Sequence, residues 1–232
     1  MNNERSFQKL AGVTAIISAP LAMASIVMVL MPVNYNFEAF EKLNLFLSAG
    51  TNSAAILRWS MVLDVYGSYL LLTPAAFFLW HWLKLKGEIQ AGFYTFCGLA
   101  YILLGALGAT ILSVAWPALV TEYAQASGEY ARTLEVVFGT VTNMVNEIWN
   151  SLNPIASGIW WLGIGSLLRS QRRNLGIFTV ILGIDQLLHG AGAILGIAFL
   201  ATITQSLIFL LLPIWALWLG LELLRKPVQL TH

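Results

Sequence analysis

The chain has 232 residues, of which 58% are hydrophobic and 10% charged. Soluble domains average roughly 45–50% apolar and about 25% charged residues, so a soluble globular domain, a disordered chain and a nucleic-acid binder are excluded in favour of an integral membrane protein. The 12 Lys and Arg nearly balance the 11 Asp and Glu, leaving no strong field to steer acidic partners, and the single cysteine, Cys97, excludes an intramolecular disulfide and any multi-cysteine metal site.

A helical span needs roughly 20 mostly apolar residues. Six stretches meet this: Leu10–Val33, Leu57–Leu83, Ala91–Pro117, Val145–Leu168, Leu175–Leu200 and Ile203–Leu224. Their continuous Leu, Ala and Gly runs lack the alternation of barrel strands. The expected fold is all-α, a six-transmembrane-helix bundle forming one integral membrane domain over residues 1–232.

Met1–Lys9 and Ala22-Met23-Ala24 have the flavour of a cleaved leader. The apolar run continues through Ile26–Val33, so an uncleaved first helix is expected. Phe37, Phe40, Leu43 and Leu47 then recur at near-helical spacing among Glu38, Glu41 and Lys42, which predicts an amphipathic helix on the outer membrane surface. Asn52 or Ser53 is placed to cap the second span. The short loops Lys84–Gln90 and Arg169–Asn174 make their flanking helices antiparallel neighbours. Helical character persists through Ala118–Ala126, breaks at Ser127-Gly128 and resumes by Glu129, so spans three and four are expected to project on the outer side as a hairpin.

Orientation follows from the basic residues. Arg5, Lys9, Lys84, Lys86, Arg169, Arg172, Arg173, Arg225 and Lys226 share one side; Lys42, Arg58 and Arg132 share the other. The positive-inside rule places the first set, and both termini, in the cytoplasm of a plasma-membrane protein. Trp80, Trp82 and Trp218 fall near the inner boundary and Trp59, Trp116 and Trp149 near the outer one, as interfacial rings do. Trp160, Trp161 and Trp215 lie deeper and are expected to pack against lipid or other helices.

Ionisable groups in hydrocarbon cost at least about 2.5 kcal/mol each, which makes them functional candidates. Asp64, Glu147 and Asp185, with His189, lie within or close to the spans. Counting about 1.5 Å per residue places them between the midplane and the outer boundary. Asn143, Asn146, Glu147, Asn150 and Asn153 recur at intervals of three and four, on one helix face. Asparagine in lipid needs hydrogen-bond partners, so this face must meet protein or water. The expectation is a polar cavity, open to the outer side and lined by spans two, four and five, with Asp64, Asn146, Glu147, Asn150, Asn153, Asp185 and His189 as its candidate residues. Asp185 and His189 stand one turn apart and share a face that should point into the bundle. Asp185 can orient the imidazole as a general base; the alternative is an interhelical hydrogen-bond clamp.

No metal or cofactor is expected. There are three histidines, two of them (His81 and His232) at the inner end, and no HExxH. No lysine lies mid-span to carry a Schiff base, and the nucleophile-elbow and phosphate-loop patterns are absent. Gly192-x-x-x-Gly196 fits close helix approach, by default within the monomer. The two three-span halves each carry a mid-span aspartate, Asp64 and Asp185, but the flanking residues do not align as an inverted repeat.

The opening Gln8-Lys9-Leu10-Ala11-Gly12-Val13 resembles that of a family of bacterial multi-pass membrane proteins catalogued as domain of unknown function 4386. So does Asn153-Pro154-Ile155 running through Gly163-Ile164-Gly165-Ser166-Leu167-Leu168-Arg169-Ser170 into Leu175-Gly176. The chain departs from that family in carrying Gln171-Arg172-Arg173 where a proline-containing loop is usual. The resemblance implies six helices and assigns no activity or site residue.

These features lead to three expectations. The first is a protein that binds or transports a small amphipathic or lipid-like ligand, with membrane lipid around it and no nucleic acid. The second is an intramembrane enzyme acting on a lipid or isoprenoid by carboxylate and histidine acid–base chemistry. The third is a structural or partner-binding subunit. Nothing in the sequence calls for an oligomer.

Overall fold

The protein is described by a computed structural model covering residues 2–40 and 42–225, without the side chains of Asn2 and Phe37. Lys226 and His232, assigned above to the inner side, and Glu41, assigned to the outer segment, lie outside the described residues. All regular structure among the described residues is helical. The long elements are α1 (Asn2–Leu30), α3 (Ala54–Asp64) continuing into α4 (Thr73–Leu83), α5 (Glu88–Tyr123), α6 (Gly128–Glu147) continuing into α7 (Asn153–Leu168), α8 (Arg173–Ile194) and α9 (Ala198–Arg225). The short α2 (Asn44–Leu47) lies between α1 and α3.

Among the described residues five helices are long and apolar enough to cross a membrane: Asn3–Val33, Thr51–Lys86, Glu88–Tyr123, Arg173–Ile194 and Ala198–Arg225. The α6–α7 run is not among them, because its Asn, Ser, Gly and Trp residues dilute the aliphatic character of that stretch.

Two helices contain wide, π-type turns, at Val65–Tyr69 between α3 and α4 and at Ile148–Leu152 between α6 and α7. Such turns add a residue to the helical repeat and are frequent at functional sites. Neither is legible in hydrophobic periodicity. They fall in the stretches expected as second and fourth spans, not in those expected as second and fifth, so they do not follow the inverted-repeat pairing.

The helices meet tightly at one end, which carries the basic residues. Gln8 Nε2 donates to Leu223 O at 2.6 Å, and Trp82 Nε1 donates to Gln171 Oε1 at 2.8 Å. Arg172 reaches Glu222 at 3.4 Å and lies 5.8 Å from the Trp82 ring centroid. His81 comes within 3.5 Å of Glu4. Gly12 of α1 faces Gly220 of α9, and Gly165 and Gly183 bring the α7 and α8 backbones together, so side chains do not hold these pairs apart. Trp160, Trp161 and Trp215 are fully buried as a three-ring cluster with centroids 5.6–5.7 Å apart. Trp215 Nε1 donates to Thr179 Oγ1 at 2.9 Å, whereas the indole N–H groups of Trp160 and Trp161 have no partner among the described residues.

The other end differs from the sequence reading in four places. Residues 34–50 do not form one amphipathic helix on a surface. A 3₁₀ turn at Phe37–Phe40 and the single turn of α2 fold back onto the bundle, burying Ala39, Phe46 and Leu47. Phe46 stacks on Trp116 at 5.0 Å, which also makes Trp116 a buried core ring and not an interfacial one. Neither Asn52 nor Ser53 caps the second span: the helix is entered through a 3₁₀ turn, and Ser53 Oγ donates back to Ala49 O at 2.9 Å. The turn between the last two helices lies at residues 195–197, not after Leu200, and Gly196 takes φ +70° there. Glycine adopts this left-handed conformation without steric penalty. The neighbours Ile194, Leu195, Ile197 and Phe199 are apolar, so composition gives no dip to mark the turn. Back at the basic end, Trp82, expected at the inner interface, is buried as well.

The α5–α6 hairpin breaks at residues 124–127 and restarts at Gly128, φ +62°. Two ties zip its tip: Tyr123 Oη donates to Glu135 Oε1 at 2.7 Å and Tyr130 Oη to Glu122 Oε1 at 2.8 Å.

Candidate functional site

The buried apolar side chains form two separate cores. One surrounds Trp160, Trp161 and Trp215; the other gathers Val29, Phe46, Met61, Trp116 and Phe138. Between them lies a cavity of about 160 Å³ to which every long helical run contributes. Its apolar wall is built from Ile26, Val29, Phe40, Leu43, Phe46, Ile208, Phe209 and Leu212. Its polar wall comes from residues beside the two wide turns and from α8.

The first wide turn sets the Asp64 side. Ser68 Oγ donates to Asp64 Oδ1 at 2.6 Å, and the Ser25 hydroxyl from α1 also bonds this carboxylate. Gly67, in the same turn, lies against the α1 backbone at Leu21 and Ala22, and Ser18 Oγ donates to Gly67 O at 2.5 Å. Tyr69 and Tyr101 line the cavity beside Asp64 with ring centroids 5.3 Å apart, and Tyr101 Oη donates to Ser68 O at 3.0 Å.

The second wide turn sets the asparagine side. Asn146, Asn150 and Asn153 all face the cavity, and Asn153 Nδ2 donates to Tyr101 O at 2.9 Å. Asn143 and Glu147 are exposed instead, and Glu147 accepts from Ser151 Oγ at 3.4 Å. Glu147 is therefore not a cavity residue. It sits about 100° around the helix from Asn146, and the wide turn beginning at Ile148 keeps Asn150 and Asn153 on Asn146's side.

His189 and Asp185 are both buried, 4% and 7% exposed. His189 lines the cavity; Asp185 does not. The carboxylate accepts from Gln186 Nε2 at 3.2 Å, and no hydrogen bond joins it to His189. The Asp–His orienting pair expected from the i, i+4 spacing is thus absent; Gln186 takes the place on the wall.

The imidazole is held from other elements. Nδ1 lies 3.0 Å from Ala201 O and 3.2 Å from Thr204 Oγ1, while Nε2 lies 3.2 Å from Asn150. Thr204 donates its own hydroxyl proton to Leu200 O at 2.7 Å, so its oxygen is an acceptor toward His189. Two acceptors at Nδ1 place a proton there, and Nε2 faces the amide oxygen of Asn150, so both ring nitrogens are engaged. His189 thereby ties α8 to α9 and to the α6–α7 turn.

The structure thus brings Asp64, Asn146, Asn150, Asn153 and His189 together on one cavity and leaves Glu147 and Asp185 off it. It adds Ser25, Ser68, Tyr69, Tyr101, Gln186 and Gln205. Gln186 and Gln205 carry a sequence signal, as amides inside apolar helices. Tyrosines and serines are common in such helices and carry none. Among the described residues no cluster of three His, Cys, Asp or Glu side chains is arranged to hold a metal ion. Comparison with protein-family models, with curated proteins and with solved structures finds no match to this chain.

Proposed function

We propose that the protein is a six-span plasma-membrane protein, its basic end cytoplasmic, that binds or transports a small amphipathic ligand through the cavity. The observation that carries this reading is the division of one cavity into an aliphatic and aromatic wall and a wall of Asp64, Asn146, Asn150, Asn153, Gln186 and His189. Ligand sites are mostly apolar concavities with a few placed polar groups, and this one has both. A lipid-filled void needs no polar wall, and a helix clamp needs no space. The 9-to-3 split of basic residues supports the orientation. The enzyme reading is the weaker one, because His189 has no carboxylate partner and its Nδ1–H is committed to Ala201 and Thr204.

Trp116 and Trp149 line the cavity and serve as reporters. Eight-carbon amphiphiles brominated at the tail, with hydroxyl, amine or carboxylate heads, are titrated into protein in lipid nanodiscs. At least one should quench fluorescence saturably, and Val29→Phe, which fills the apolar wall, should remove that component. No saturable quenching with any head, or quenching unchanged in Val29→Phe, would overturn the reading. A protease that reached an N-terminal tag from outside intact cells would overturn the orientation.

A further inference from the structure

With the cavity taken as a ligand site, as proposed above, we infer that its occupant is a lipophilic organic cation: one ammonium head at Asp64, and a hydrocarbon tail toward Phe40 and Phe209. Among the described residues, Asp64 is the only Asp, Glu, Lys or Arg on the cavity wall. Its two identified partners, Ser68 and Ser25, are neutral hydroxyl donors. They orient the carboxylate oxygens and leave the charge uncompensated. Attraction between opposite charges is several-fold stronger in a protein interior than in water, so an ammonium ion close to Asp64 gains most there.

The remaining wall excludes the other head groups. Among the described residues no lysine or arginine lines the cavity to meet an anion. Among the described residues His189 is the one other side chain on the wall able to carry a positive charge, and both its ring nitrogens are already engaged by Ala201, Thr204 and Asn150, so it offers no free N–H to an anion. A neutral head would leave the carboxylate without a counter-charge. Tyr69 and Tyr101, whose rings pack beside Asp64, add the aromatic surface that holds quaternary ammonium groups. On the apolar wall, Phe40 and Phe209 meet with centroids 6.2 Å apart beside Leu43 and Ile208, a surface suited to a chain of methylenes.

The test compares three probes with the same tail: octyltrimethylammonium, 1-octanol and octanoate. Binding is measured by equilibrium dialysis against nanodiscs with and without the full-length protein, so that bilayer partition is subtracted. Octyltrimethylammonium should bind saturably and about tenfold or more tighter than 1-octanol, with octanoate weakest. Asp64→Asn should bring the cation and the alcohol to within about threefold of each other. Saturable binding of 1-octanol or octanoate as tight as the cation would overturn the cation assignment and leave the cavity reading standing. A folded Asp64→Asn protein that kept the full preference would also overturn it. No saturable binding of any of the three would remove both. If Asp64→Asn does not fold, the head-group order in the unsubstituted protein decides alone.

Discussion

Gly67→Ala probes the contact on which one side of the cavity rests. A Cβ built on Gly67 would meet the backbone nitrogen of Ala22, Leu21 C at 2.7 Å and Ala22 Cα at 2.9 Å. All three are main-chain atoms of α1, and ordinary van der Waals contact begins near 3.4 Å. No side chain can swing away, so α1 must retreat from the wide turn. Overpacking of this kind costs about 1–3 kcal/mol. The retreat also stretches the Ser18 to Gly67 hydrogen bond, worth about 1 kcal/mol. Removing the entropy of a glycine returns about 0.5–1 kcal/mol. The net is a destabilisation of about 1–3 kcal/mol, which for a chain of this size lowers Tm by about 4–8 °C at the middle of that range. Thermal unfolding in detergent, followed by tryptophan fluorescence, reads it. Gly139→Ala is the control, because nothing lies within 4 Å of its added Cβ, and it should leave Tm unchanged or raise it. A Gly67→Ala protein as stable as the control would refute the close approach of α1 to the wide turn. The same variant should weaken binding of octyltrimethylammonium, since Ser25 and Asp64 sit on the two surfaces being separated.

Asn150→Leu should cost about 1–3 kcal/mol, because Nε2 of His189 is left buried without a partner. Thr204→Val should cost less, because Nδ1–H keeps Ala201 O; the reverse order in a denaturation series would refute the proton placement. Trp215→Phe should be more damaging than Trp161→Phe by about 1 kcal/mol, although both rings are fully buried. The first substitution breaks a hydrogen bond to Thr179 and the second removes an N–H that has none, so equal losses in Tm would refute that distinction.

Several features of this protein were legible in the residue order. Aliphatic runs of the right length dictate helices in lipid, because only a helix satisfies its own backbone there. Lys and Arg at Arg5, Lys84, Arg172 and Arg225 mark one end, and Ser127-Gly128 marks the hairpin break. The polar residues Asp64, Asn146, Asn150, Asn153 and His189 announce themselves because each is costly in hydrocarbon unless it finds a partner. The partners were legible only in part. Asn150, near His189 by depth along the spans, does meet it, but Thr204 meets it as well and Asp185 does not, because a shared helix face does not decide which neighbouring helix each group approaches. Glu147 lies off the asparagine face because it follows Asn146 by about 100° at the end of α6, and the wide turn after it returns Asn150 and Asn153 to Asn146's side, a turn no periodic template contains. The 34–50 segment buried Phe46 against Trp116 because a core with an open end was available to cover, which local amphipathicity does not reveal. Sequence carried the local costs, of placing each residue in lipid or bending the chain at a glycine; tertiary structure alone decided the pairings that offset them, because those depend on how distant helices approach and turn.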